Sequence, residues 1–259
     1  MNRYTQRLAC LAQAYRRAEA RIVSAYFAKP RNKRDHLRWL RAQGFKEYAA
    51  IKPILAALTK LYKDVDRGLD RHDYAELTEK LADEMKHATL VMNLLDEIWG
   101  RKVNPSDLTW LPEDKKLARV RARYSKSLAG LLHGSESITA KNIRRQDEDL
   151  ERAVITLTEG GGGALYEVCR HLKRNGLERK ISRAFATIHR DELRHKNAGG
   201  RELGRLIKTR ESCDRAAKIL CEISAQRLRM RNEQLGFPLN EKEMTALDER
   251  ARRWETKEK

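Results

Sequence analysis

The sequence predicts an all-α protein, a four-helix bundle over residues 45–198 with additional helices at 1–44 and 199–259. Three observations carry that expectation. Apolar residues recur at three- and four-residue spacing, and no stretch alternates with the two-residue period of a strand. Charged residues make up 36% and aromatics 6% of a 259-residue chain holding 5 prolines, a balance that suits helices rather than a sandwich or barrel. One pattern of acid, acid, apolar, base and His occurs twice, each time inside a helical stretch. The 41% apolar fraction is enough to bury a core and excludes global disorder.

Residues 4–28 read as an amphipathic helix with Leu8, Leu11, Tyr15, Ile22 and Tyr26 on one stripe. Pro30 ends it in a polar loop. A short helix is expected over 34–43, stopping near Gly44, and another over 45–66 with Ile51, Leu55, Leu58 and Tyr62 on one stripe and Pro53 kinking or locally unwinding it. Gly68 is placed to end that helix, and Asp70 or Asp73 caps the next, which runs to about Trp99. Residues 100–136 form an insertion: a loop with Pro105 and Pro112, then a helix to about 132. A long helical pattern spans 137–174, interrupted at Gly160–Gly163 and closed by Asn175-Gly176. Further helices are expected over 178–197, 201–235 and 240–256, with Gly199-Gly200 a change of direction or a weak point and Gly236-Phe237-Pro238 a break.

No apolar run approaches the roughly 20 residues that cross a bilayer. The start, MNRYTQRLAC, has no apolar signal core. The expectations are therefore a cytoplasmic address and no membrane partner. Cys10, Cys169, Cys213 and Cys221 form no CxxC pair and read as reduced thiols. The formal net charge is +18. Residues 1–50 carry 12 Lys and Arg against 3 acids, so half of the excess lies in the first fifth of the chain. Such a field attracts anionic partners: nucleic acid, a phosphorylated substrate or an acidic carrier protein.

The repeated pattern reads Asp83-Glu84-Met85-Lys86-His87 and Asp191-Glu192-Leu193-Arg194-His195. Positions i and i+3 share a helix face. Glu84 with His87, and Glu192 with His195, can thus each offer a carboxylate and an imidazole to one ion. Two facing helices of this kind supply part of a two-metal cluster, which needs one more Glu from each of two other helices. Glu159 lies 33 residues before Glu192 with Asn175-Gly176 almost midway, so antiparallel arms bring the two to equal depth. Glu159 also opens a run of four glycines, costing about 3–4 kcal/mol in a helix relative to alanine. Glu47 lies 37 residues before Glu84, but Gly68 divides that span into arms of 21 and 16 residues, a mismatch of five; a turn nearer Asp64–Asp66 or the break at Pro53 would correct that. Glu19, on the apolar stripe of the first helix, is the rival for this position.

With these residues in view, the sequence resembles the ferritin-like superfamily of di-iron carboxylate proteins. The stretches TEGGGGALYEVCRHLKRNG and AFATIHRDELRHKNAG look like the second helix pair of rubrerythrin-like proteins. The paired motifs are similar to those of soluble di-iron monooxygenases and acyl-carrier desaturases. The resemblance implies Glu47, Glu84, His87, Glu159, Glu192 and His195 as ligands of two metal ions, Fe/Fe or Mn/Fe, with Glu84 and Glu192 bridging. It implies that Asp83 and Asp191 orient ligand histidines. Lys86 departs from the arginine usual there, and no four-Cys iron module follows.

The function expected from this set is oxidation or hydroxylation of an organic substrate with O2 and an external electron donor. Glu159 and Tyr166 are the catalytic candidates. Met85 and Leu193 are candidates for dry walls, and Glu167 for a supplementary ligand. Partners in this reading are an anionic or carrier-bound substrate or RNA, and a homodimer is compatible with it. The alternatives are a ferroxidase or rubrerythrin-type peroxidase, and a non-enzymatic basic module that binds nucleic acid.

Overall fold

The computed structural model describes residues 2–62, 71–125, 154 and 163–253, with the side chains at 57, 60, 61, 71–73, 76, 125 and 194–205 excepted. Among the described residues all regular structure is helical. Helix α1 spans Arg3–Phe27, α2 Lys33–Tyr62 and α3 Arg71–Trp99. A single 3-10 turn, Pro105–Asp107, precedes α4, Pro112–Ser125. Then come α5, Gly163–Cys169, and α6, Gly176–Leu206, followed by α7, Arg210–Gln234, and α8, Glu241–Arg253.

Local chemistry sets most of the helix ends. The Asn2 side chain accepts the Thr5 N–H at 2.9 Å to start α1, and Thr209 does the same for Ser212 N–H at α7. Asn240 and Glu243 cap one another reciprocally at α8, at 3.0 and 2.8 Å. Pro112 occupies the first position of α4, where its missing N–H is not needed. Gly100 ends α3 in the left-handed conformation, φ 77°. Asn175 belongs to the start of α6 rather than the end of the preceding helix: its Oδ1 accepts the Glu178 N–H at 2.9 Å.

Two of the expected breaks are absent. Helix α2 is continuous through Gly44, and α6 is continuous through Gly199 and Gly200. The anticipated boundaries at 44/45 and 198/199 therefore fall inside helices. At Gly44 the reason is packing: a Cβ there would come within 3.0 Å of Leu108 Cδ2 and 3.4 Å of Val91 Cγ1. The glycine lets α2 lie close to α3 and to the loop after it. Pro53 is also accommodated within α2. The turn expected around Gly68, the insertion beyond Ser125 and the glycine run beginning at Glu159 lie outside the described residues.

Helices α2 and α3 form one hairpin and α5 and α6 another. The hairpins meet along α3 and α6. Lys86 pairs with Asp191 and Lys180 with Glu97, so the residue number rises by 11 on α3 as it falls by 11 on α6, and the two helices run antiparallel. Helix α1 packs on α5 and α7, α4 packs on α7, and α8 covers α1 with Tyr15 donating to Asp248 at 2.6 Å. One apolar core includes Leu8 and Ile22 of α1, Trp39 of α2, Leu95 of α3, Phe185 of α6, and Leu220 and Ile223 of α7. The helices expected as extensions thus share the bundle's core. Trp39 is fully buried within it, with Phe185 at 5.4 Å and Phe27 at 5.9 Å between ring centroids. No helix among the described residues is long and apolar enough to cross a membrane.

Candidate metal centre

Glu47 of α2 and Glu84 and His87 of α3 converge in the bundle. All three are buried, and each offers a ligand atom within 4.8 Å of the others. The depth mismatch noted in the sequence does not keep Glu47 from Glu84: the two carboxylates lie at the same level of the bundle, while the turn between their helices lies outside the described residues. Glu192 arrives from α6, with its Oε1 3.8 Å from His87 Nδ1; Glu84 Oε2 is 3.9 Å from the same nitrogen.

His87 is completely buried, and its two nitrogens have different surroundings. Nε2 faces Asp191 Oδ2 at 3.4 Å. Nδ1 has no hydrogen-bond partner among the described residues. An Nε2–H directed at Asp191 leaves the lone pair on Nδ1, where the carboxylates converge. Spacings of 3.8 and 3.9 Å are too long for hydrogen bonds. They suit ligands of one ion: with bonds of about 2.1 Å, ligand atoms lie about 3.0 Å apart at right angles and about 4.2 Å apart when opposite. Carboxylate and imidazole donors together suit iron, manganese and zinc. The residues present therefore fit a metal ion.

Asp191 braces one motif against the other. Besides His87 it accepts from Lys86 Nζ at 2.5 Å. Burial pushes the Asp191 carboxyl upward, but the hydrogen bonds from Lys86 and His87 outweigh it and hold the group below the usual range. Lys86, standing where the resemblance expects arginine, thus serves the partner motif. Asp83 is also buried.

On the other side, Tyr166 of α5 donates its hydroxyl to Glu47 Oε1 at 3.0 Å. Burial, then the charges of Glu47, Glu192 and Glu84, hold the phenol far above its ordinary pKa, so it stays a donor. Gln43, one turn before Glu47, donates from Nε2 to the same Oε1 at 2.6 Å. Gln43 is not among the candidates named from sequence, although its i, i+4 spacing to Glu47 is a usable signal.

The remaining candidates separate as follows. Glu159 lies outside the described residues, and of His195 only the helical backbone is described. Glu19 is buried at 2% exposure but faces guanidinium groups: Arg231 Nε at 2.7 Å and Arg227 Nε at 3.2 Å. Glu167 pairs with Arg170 at 2.6 Å and His189 at 2.9 Å rather than joining the cluster. Met85 and Leu193 do not wall the site: they are 52% and 43% exposed. Each follows an inward Glu by one residue, a step of about 100° around the helix. All four cysteines are free thiols, with Cys169, Cys213 and Cys221 buried. Comparison with protein-family models, curated proteins and solved structures gave no match.

Proposed function

We propose that this chain is a ferritin-like, two-metal oxidoreductase, di-iron or Mn/Fe, that uses O2 and an external reductant to oxidise or hydroxylate an organic, anionic or carrier-bound substrate. The observation that carries the metal reading is the buried His87 Nδ1, without a hydrogen-bond partner among the described residues, facing Glu84 and Glu192, with Glu47 alongside. A buried imidazole lone pair and several converging carboxylates are costly without a cation and favourable around one. In this reading the pseudo-repeat would supply further ligands for a second ion, Glu159 and His195, beside Glu84 and Glu192.

Iron held by these residues would supply the redox chemistry toward dioxygen. The protein's own groups have separate roles. Glu47, Glu84 and Glu192 balance cationic charge, and Asp191 fixes the His87 ring and tautomer. Tyr166, protonated and directed at Glu47, holds a proton beside the ligand shell. The basic face of α1, with Arg17 and Arg21 exposed, draws an anionic substrate or carrier.

The test is metal content of the purified protein together with anomalous scattering from a crystal grown with Fe(II). Two ions per chain, one within bonding distance of His87 Nδ1, are expected. A protein that takes up neither iron nor manganese would refute the reading and leave a basic helical protein. Substrate-independent O2 consumption by the iron-loaded protein would instead favour the ferroxidase or peroxidase alternative.

A further inference from the structure

Behind Glu47 lies a buried polar layer, and part of it belongs to α7, a helix the repeated motifs do not include. Gln43 is 2% exposed. Its Nε2 donates to Glu47 Oε1 at 2.6 Å and lies 3.3 Å from the Tyr166 oxygen. Its Oε1 accepts from Gln234 Nε2 at 3.0 Å and Arg231 Nη1 at 3.3 Å, both on α7. The amide has one acceptable orientation. If reversed, its oxygen would face a carboxylate and its NH2 a guanidinium.

The groups holding Gln43 are themselves held. Arg231 Nε donates to Glu19 Oε1 at 2.7 Å, and Arg231 also donates to Gln234 Oε1. Gln234 Nε2 reaches the Trp39 carbonyl at 3.2 Å, and Lys46 Nζ donates to Gln234 Oε1 at 2.6 Å. Glu19, Gln43, Arg231 and Gln234 are each no more than 2% exposed. Packing alone gives little reason for this layer, since apolar side chains of similar volume are often at least as stable as a buried ion pair. Its inner end is the Glu47 carboxylate.

We propose that Gln43 is a positioning residue for the metal site, locked by Arg231 and Gln234, so that α7 is a working part of the centre. With Gln43 and Tyr166 both donating to Oε1, Oε2 is the Glu47 oxygen left for an ion, and the carboxylate is held as a one-oxygen ligand. The inference rests on the metal reading above and adds to it how the first ligand is aimed.

The experiment is titration of the full chain with Co(II) alone, followed by its visible d–d absorption, in wild type, Gln43→Met and Arg231→Lys, with thermal melts in parallel. Gln43→Met keeps the side-chain length and removes both hydrogen-bonding ends. It should weaken one of the two Co(II) sites by about 10–100-fold, the usual consequence of losing a partner that orients a ligand, and alter that site's spectrum. Arg231→Lys keeps a cation beside Glu19 but loses the second nitrogen that reaches Gln43, and should shift both readouts the same way by less. A lower melting temperature with wild-type Co(II) affinities and spectrum would mean a purely structural layer and overturn the proposal. If Gln43→Met does not fold, unchanged affinity and spectrum in Arg231→Lys overturn it equally. A wild-type protein that binds no Co(II) would instead remove the metal reading, and this inference with it.

Discussion

Exchanging Glu19 and Glu47 for glutamine should produce opposite effects, although both are buried glutamates one helix apart in the chain. Glu19 is clamped by Arg231 at 2.7 Å and Arg227 at 3.2 Å, with side-chain exposures of 2% and 11% for the two arginines. Glu19→Gln leaves two guanidiniums against a neutral amide. Removing one partner of a buried ion pair costs about 3–5 kcal/mol. For a chain of this size about 1 kcal/mol moves the melting temperature by roughly 2–4 °C, so a fall of about 6–20 °C is expected. At saturating metal the ion count should not change. Among the described residues the donors to Glu47 are neutral, Gln43 and Tyr166, and it lies within 4.8 Å of ligand atoms on Glu84 and His87. Two carboxylates at that spacing repel by about 3–4 kcal/mol at an effective dielectric of ~20. Glu47→Gln should therefore melt at or above wild type when metal-free, yet lose an ion. The assay is calorimetry of the metal-free proteins, paired with metal analysis after loading. If Glu47→Gln melts as low as Glu19→Gln and still binds both ions, the assignment of one glutamate to a salt bridge and the other to a metal is wrong.

At Gly44, alanine must displace the flexible tip of Leu108 by a few tenths of an ångström while gaining about 1 kcal/mol of helix propensity, so Gly44→Ala should be close to neutral in a urea titration. Gly44→Leu has no such room and should cost several kcal/mol or abolish folding. Asp107 is held down to about 2 by Arg101 and the Asn104 N–H. Its contribution is present above the ordinary carboxylate pKa and is lost as pH falls toward 2, so the stability gap between wild type and Asp107→Asn should close over that range in acid titration. Cys10 is half-buried while burial pushes the Cys169 thiol up, and Cys213 and Cys221 are also enclosed. A maleimide should label one thiol quickly in the native protein and four in denaturant, and Cys10→Ala should abolish the fast phase.

What the sequence carried was periodicity and spacing. The apolar stripe of α1 is buried as expected, and Glu84 and His87 share a face because i and i+3 must. Gly44 misled because a glycine is a local cost, whereas the gain that offsets it, close approach of Leu108 and Val91, comes from elsewhere in the chain. Met85 and Leu193 were open to a better reading, since a residue beside an inward Glu points elsewhere on any helix. The α7 layer had a fainter signal. Ala216, Leu220 and Ile223 form a stripe that continues through Arg227, Arg231 and Gln234, and all six are buried. Along one face the helix changes from apolar to polar without leaving the interior. Taken alone, the polar half looks like solvent-facing surface; its burial depends on Glu19 and Gln43, which lie about 190–210 positions away in the chain.

The same change occurs along α2. Trp39, Gln43 and Glu47 follow at four-residue steps, about 6 Å each, on one face. The first lies in the aromatic core, the second in the hydrogen-bonded layer and the third at the acid/His cluster. Tyr166 spans the last two steps from α5, its ring 5.8 Å from Phe185 and its hydroxyl on Glu47. The order has an electrostatic logic. A carboxylate set directly against the Trp39 layer would be desolvated with nothing to direct it, whereas one backed by fixed dipoles has a single favourable orientation. The rigid aromatic end sets the height of α2, the amide layer converts that height into the direction of one carboxylate, and the hairpin partner α3 meets it with Glu84 and His87. A polar layer in the core is thus expected where this bundle has one: between the aromatic part that only packs and the acid/His cluster.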